Sequence, residues 1–264
     1  MAYNYLEKYI SRLQSQGRYH FSLQDLLKEL SKQKSALHMG LKRLMDKGRI
    51  VRIRQGFYVI VPAEYSRQGM LPVNLFIHDL MDWLDKPYYV GLLSAAALHG
   101  AAHQQPQKYQ VIIKRPQIRP VHTKDIYIQF VVKKDFPIYG VSEKKTDTGY
   151  IYISNPVMTA FDLLQFERQC GGFQRIVEIM EELTESFIQD DLRETLRNTW
   201  PNTVLQRFGY LCTNIVDIPD FTQPVLNKLK SRKIYPVPLS PGESSRAGTI
   251  DKTWKVILNI QPES

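Results

Sequence analysis

The sequence predicts an α+β fold in two parts, and three observations carry that expectation. Residues 1–48 read as three short amphipathic helices, and a β-branched run broken at Gly56 follows them. Between about 108 and 154 strand-like segments cluster, whereas from 155 to about 232 helical segments follow one another. Strands grouped with strands and helices with helices argue for α+β and against a doubly wound parallel sheet. Finally, 264 residues exceed the usual size of one domain. The stretch "PAEYSRQGMLP", residues 62–72, holds two prolines and a glycine where the hydrophobic pattern changes phase, as a linker does. The expected division is therefore a first domain over 1–64 and a second over 65–264, the latter with a small mixed or antiparallel sheet and several helices.

In the first part, Leu6, Tyr9, Ile10 and Leu13 recur at helical spacing, as do Leu23, Leu26, Leu27 and Leu30. Ser22 followed by Asp25 supplies an N-terminal capping pattern for the second helix, with Asp where Glu or Gln would be stronger. A third helix begins with Ser35 as the expected N-cap, sets Leu37, Leu41 and Leu44 toward the core, and ends at Gly48. Spacing by about 100° per residue puts Ser35, Met39, Lys42 and Asp46 opposite those leucines, with His38 and Arg43 on the flanks. "RIVRI" and "FYVIV" then form a hairpin through Arg54, Gln55 and Gly56.

Three short helices and a basic hairpin make a winged helix-turn-helix, in which the third helix enters the major groove and the hairpin reaches phosphates or the minor groove. The residues expected at DNA are Ser35, His38, Met39, Lys42 and Arg43 in the groove and Arg52, Arg54 and Gln55 on the wing. Winged helices also serve as protein-interaction modules. Charge separates the two readings, because residues 1–65 hold twelve Lys/Arg against five Asp/Glu and arginines stand on both helix and hairpin.

The second part opens with an amphipathic helix at about 72–85 and an Ala-rich helix at about 91–102. "YQVIIKR", "IYIQFVVK" and "YIYIS" follow as strands. Asn155 is the expected N-cap of the helix "NPVMTAFDLLQF", with Pro156 at its first position. At least three more helices run to about 232, and "YPVPL" and "WKVILNI" add late strands.

A second basic region, residues 108–145, holds nine Lys/Arg against three Asp/Glu. Lys114, Arg115, Arg119, His122, Lys124, Lys133 and Lys134 lie on or between its strands, where alternation gathers some onto one face. They form either a second nucleic-acid surface or an ordinary solvated sheet face. The whole chain carries +9, so everything outside the two regions sums to −4, and a polyanion is the expected partner. No basic amphipathic helix with a wide apolar face accompanies either region, and the longest apolar run, "VGLLSAAALHGAA", falls short of the roughly 20 residues that span a bilayer. No membrane association is expected. Cys170 and Cys212 are far apart without a CxxC pattern, and "MAYNYLEKYI" lacks the apolar core of a signal peptide. Both fit a reducing cytoplasm.

His99 and His103 stand at i, i+4, yet no HExxH glutamate or third ligand accompanies them, so His99 reads as a packed histidine at a helix end and no metal is expected. No GxSxG, P-loop or GxGxxG motif occurs. "CGGF" at 170–173 is a helix break, and the acidic residues from Glu178 to Glu194 are solvated helix charge. Neither a catalytic residue nor a cofactor is expected.

Five stretches together resemble the AbiEi antitoxin family, the regulator half of AbiE toxin–antitoxin systems. They are "LKRLMDKGRIVRIRQGFYVI" at 41–60, "LLSAAALHGAAHQQP" at 92–106, "NPVMTAFDLL" at 155–164, "LQRFGYLCT" at 205–213 and "PLSP…GTIDKTWKVILN" at 238–259. They occur in the family's order and cover most of the chain. In the third, the family often has arginine before the threonine where this chain has Met158. The resemblance implies a cytoplasmic bacterial autorepressor that binds inverted repeats in its own promoter. It further implies a C-terminal domain that counters a co-encoded nucleotidyltransferase-like toxin without a stable complex, in defence against phage. Two rival readings are a winged-helix repressor whose second domain senses a small molecule, with no toxin partner, and a metal-dependent nuclease built on Asp125 and Asp135.

Overall fold

The computed structural model describes residues 4–30, 34–101, 106–244 and 248–260, and within them ten helices and twelve strands in three sheets. The chain is mixed α and β. Its first sixty residues form α1 (Asn4–Ser15), β1 (His20–Ser22), α2 (Leu23–Leu30), α3 (Lys34–Asp46), β2 (Ile50–Arg54) and β3 (Phe57–Ile60). Leu6, Tyr9, Ile10, Leu13, Leu26, Leu37, Leu41 and Leu44 share one core, as their helical spacing requires. The Ser22–Asp25 signal is a full capping box: Asp25 N–H donates to Ser22 Oγ at 3.0 Å and Ser22 N–H to the Asp25 carboxylate at 3.2 Å. Helix α3 already includes Lys34, so Ser35 lies in its first turn and is not the N-cap. Gly48, at φ +65°, carries the chain out of α3 in the left-handed conformation.

The hairpin β2–β3 turns at Gly56 (φ +93°), and β1 pairs with the other side of β3, a strand the hydrophobic pattern did not signal. All four residues of β3 are buried. The period-2 alternation of a strand explains why: Tyr58 and Ile60 enter the three-helix core, whereas Phe57 and Val59 join Ile53 in a second core built with the larger sheet. The 62–72 stretch belongs to that second core as well. It forms a 3-10 turn at Ala63–Tyr65 and buries Met70 and Leu71.

The larger sheet has six strands in the order β6 (Val121–His122), β7 (Tyr127–Val132), β5 (Tyr109–Ile113), β4 (Tyr88–Val90), β9 (Gly149–Ser154), β8 (Val141–Thr146). It is mixed, with β5–β7 and β4–β9 parallel and the other pairs antiparallel. One face meets the hairpin and α4 (Ile77–Trp83); the other, through Tyr89, Ile112 and Val131, meets α5 (Leu92–Leu98), α6 (Pro156–Gln165), α7 (Phe173–Leu183), α8 (Gln189–Arg197), α9 (Asn202–Asn214) and α10 (Thr222–Lys230). The segments expected to be helical at 72–85 and 91–102 are real but shorter. Asn155 Oδ1 accepts from Met158 N–H at 2.7 Å and Pro156 opens α6, as that sequence demands. A small sheet of β10 (Val237–Pro238), β12 (Val256–Leu258) and β11 (Thr249–Ile250) closes over α9. The Trp254 ring packs against Gly209 of α9, where any side chain would collide with it, and Trp254 Nε1–H donates to Thr213 Oγ1 at 3.1 Å.

Candidate nucleic-acid interface

Helix α3 separates its residues by face. Leu37, Leu41 and Leu44 are buried, while Ser35, His38, Met39, Lys42 and Arg43 are exposed, Met39 at 62%. A 62% exposed methionine on an otherwise polar face gives α3 an apolar contact point among its cations. Beside it the hairpin presents Arg52 and Gln55 to solvent and leaves Arg54 half-buried. His38 of α3 and Arg52, Arg54 and Gln55 of the hairpin line one cleft of about 500 Å³, floored by Leu23 and Tyr58.

Some cations of the first sixty residues are paired and others are not. Arg12 pairs with Glu29, Arg18 with Asp25 and Arg49 with Glu7. The side chains of Lys42, Arg43 and Arg52 have no ion pair or hydrogen bond among the described residues. An unpaired cation on a rigid element keeps its full capacity for an external anion, whereas exposed pairs contribute little to stability and neutralise one another locally. Lys8 of α1 and Lys28 of α2 are unpaired as well, and three of the unpaired cations stand together on the α3 and hairpin side.

Arg54 behaves differently from Arg52. Its Nη2 donates to the backbone carbonyl of Arg119, and its guanidinium lies 5.8 Å from the Phe130 ring. Burial, reinforced by the nearby charge of Arg119, pulls Arg54 below the usual arginine value. The hairpin tip is thus seated on the larger sheet, where Phe57 also meets Trp83 and His20 Nδ1 lies 2.9 Å from Asp79 Oδ2.

In the second basic region Lys114, Arg115, Arg119, His122, Lys124 and Lys134 are exposed. Lys133 is not, and its assignment to that surface is corrected: its ammonium donates to Asp162 Oδ1 at 2.6 Å and stands 3.7 Å from the Trp200 ring centre. Adjacent residues leave a strand end on opposite sides, so Lys133 and Lys134 cannot share a face. Burial lowers Lys133 against the opposing pull of Asp162, whose other oxygen accepts from Tyr89 O–H at 2.8 Å.

A lone Asp in "TAFDLLQF" and a lone Arg in "LQRFGYL" are signals for such buried pairs. The second pair is Arg207 with Glu167. Arg207 also donates to the carbonyls of Leu239 (2.7 Å) and Leu164 (2.8 Å), and Ser240 O–H donates to Glu167 at 3.1 Å.

His99 caps α5, its ring Nε2 2.7 Å from the Ser154 carbonyl, and burial lowers its pKa. His103 lies outside the described residues. Among the described residues no three His, Cys, Asp or Glu side chains gather as a metal would require, and no helix is long and apolar enough to cross a membrane. Cys170 and Cys212 are buried free thiols, and burial pushes the Cys170 thiol up to about 12, away from reactivity.

Residues 89–214 match the family model of the AbiEi antitoxin C-terminal domain. The match begins in β4 and ends with α9, so it spans most of the six-stranded sheet and α5 to α9, but not α3, the hairpin, α4 or α10. Among solved structures, the RV2827C protein from Mycobacterium tuberculosis is similar over 96% of this chain and 91% of its own, with a TM-score of 0.63 and 14% identity. That similarity concerns the fold alone. No curated protein matches the chain.

Proposed function

We propose, from the match of residues 89–214 to the AbiEi antitoxin C-terminal domain, that this chain is a DNA-binding antitoxin. In this reading α1–α3 and the β2–β3 hairpin are a winged helix-turn-helix that binds inverted repeats in the chain's own promoter and represses it. Residues 65–264 counter a co-encoded nucleotidyltransferase-like toxin without a stable complex between the two. The partner gene is the discriminating neighbour.

The observation that carries the DNA-binding half is that His38 of α3 meets Arg52, Arg54 and Gln55 of the hairpin in one cleft, with Lys42 and Arg43 exposed on the same helix. A recognition helix needs base-edge and phosphate donors on one face and a core on the other, and α3 has both. The antitoxin half is supported by the family match.

Gel shifts on the native promoter over a salt series test the first half. Lys42→Ala and Arg52→Ala each should reduce the salt slope by about one unit, and unchanged affinity and slope in both would refute the assignment. Co-expression with the adjacent toxin gene, scored as rescue of growth, tests the second.

One observation favours the reading of the second part as a small-molecule sensor. A cleft of about 530 Å³ lies between the end of α6 and the late strands, lined by Phe166, Pro201, Val204 and Val237 with Arg207. Growth rescue that survives filling this cleft by Val204→Trp would separate the two readings in favour of the antitoxin.

A further inference from the structure

We propose that Arg54 and Arg119 together seat one backbone phosphate of duplex DNA, at the seam between the hairpin and the six-stranded sheet. The proposal rests on the DNA-binding reading above and extends the surface in contact with DNA beyond α3 and the hairpin.

Arg54 is fixed by its bond to the Arg119 carbonyl and by the Phe130 ring. Its Nε is buried with no partner. Arg119 is exposed, and among the described residues neither guanidinium meets a carboxylate. Arg54 is held in place and lines the cleft that it shares with His38, Arg52 and Gln55, while the exposed Arg119 side chain lies near enough for its like charge to act on Arg54. A phosphodiester supplies the missing negative charge and accepts the planar forks of two arginines. The lowered pKa of Arg54 reflects the same burial and like-charge repulsion, and an anion at the seam opposes both.

The surroundings continue the same chemistry. The antiparallel register Val121↔Ile128 sets Arg119 level with Phe130, and the parallel register Ile113↔Val132 brings Lys114 and Arg115 to the strand end that Lys134 leaves. A duplex lying on α3 and the hairpin therefore meets further exposed cations of the sheet immediately past Arg119.

The test exploits the backbone nature of the Arg54 bond: Arg119→Ala removes a charge and keeps the carbonyl that holds Arg54. Binding of a promoter duplex by the full chain is measured over a salt series for wild type, Arg54→Ala, Arg119→Ala and the double variant, with thermal melting to confirm folding. Arg119→Ala is expected to lower the salt slope by about one unit without moving the melting temperature. The double variant is expected to lose no more slope than either single, because one phosphate is shared. An unchanged slope in Arg119→Ala beside normal wild-type binding overturns the shared seat and leaves the DNA-binding reading standing, as does full additivity in the double variant. Absence of duplex binding by wild type overturns both.

Discussion

Lys133 Nζ donates to Asp162 Oδ1 at 2.6 Å in a core that leaves 2% of the lysine side chain and none of the aspartate exposed. Removing one partner strands a charge where water cannot reach it. Asp162→Ala is expected to cost about 3–5 kcal/mol in urea denaturation. Replacing the set together, as Lys133→Met, Asp162→Leu and Tyr89→Phe, should cost less than the single change. A single-variant loss below about 1 kcal/mol would mean that water or a rearranged partner reaches the site.

The two faces of α3 should respond to different assays. Arg43→Ala, on the exposed face, should weaken promoter binding and leave the urea midpoint unchanged. Leu41→Ala, 1% exposed in the helical core, should cost about 2–5 kcal/mol and lose DNA binding only as the fold is lost. Equal effects of both on stability would contradict the separation of faces.

Gly209 and Gly40 both sit in helices at close approaches, yet their tolerance should differ. A Cβ at Gly209 would run into the Trp254 ring, which Thr213 holds in place, so Gly209→Ala should destabilise by about 1–3 kcal/mol or more. At Gly40 the obstacle is Leu6 Cδ1, the tip of a side chain that can rotate, and alanine's better helix propensity offsets part of the clash. Melting temperatures of the two variants decide the order.

His99 gives the fold a defined acid response. Burial, with the nearby Lys144 charge adding to it, lowers its pKa from the ordinary 6.5 despite the bond to Ser154. A histidine depressed in the folded state contributes stability that is complete above its unfolded pKa and is lost as pH falls through its folded pKa. The melting temperature should therefore drop below about pH 6.5, and His99→Gln should flatten that part of the profile. An identical profile in the variant would assign the acid response to other groups.

The helical half of the fold was legible because buried leucines at helical spacing leave few alternatives. The hairpin was legible from its β-branched residues and the turn glycine. Strand β8, "VSEKKT", was not, because an exposed edge strand carries charge where a buried one alternates, and edges favour lysine. Strand β1 is three residues long, too short for any period to register.

Of the proposed DNA-facing residues, those on α3 were placed on the exposed face by spacing alone. Arg54 shows where spacing ends: its position on the hairpin was readable, but its attachment to Arg119, 65 residues away, depends on how the hairpin meets a sheet that local sequence does not describe. Lys133 shows the same limit in reverse. Its charge suggested a surface, and a partner 29 residues on took it inside.

The two-sided burial of β3 bears on how such chains can be recombined. Phe57 and Val59 face one core and Tyr58 and Ile60 the other, so the strand is a party wall and not the outer wall of a detachable module. A fragment cut at residue 64 would bare Ile53, Phe57 and Val59 and should self-associate. A chimera that exchanges residues 1–64 between relatives has to carry the matching floor of the large sheet along with it, or rebuild the wall from both sides.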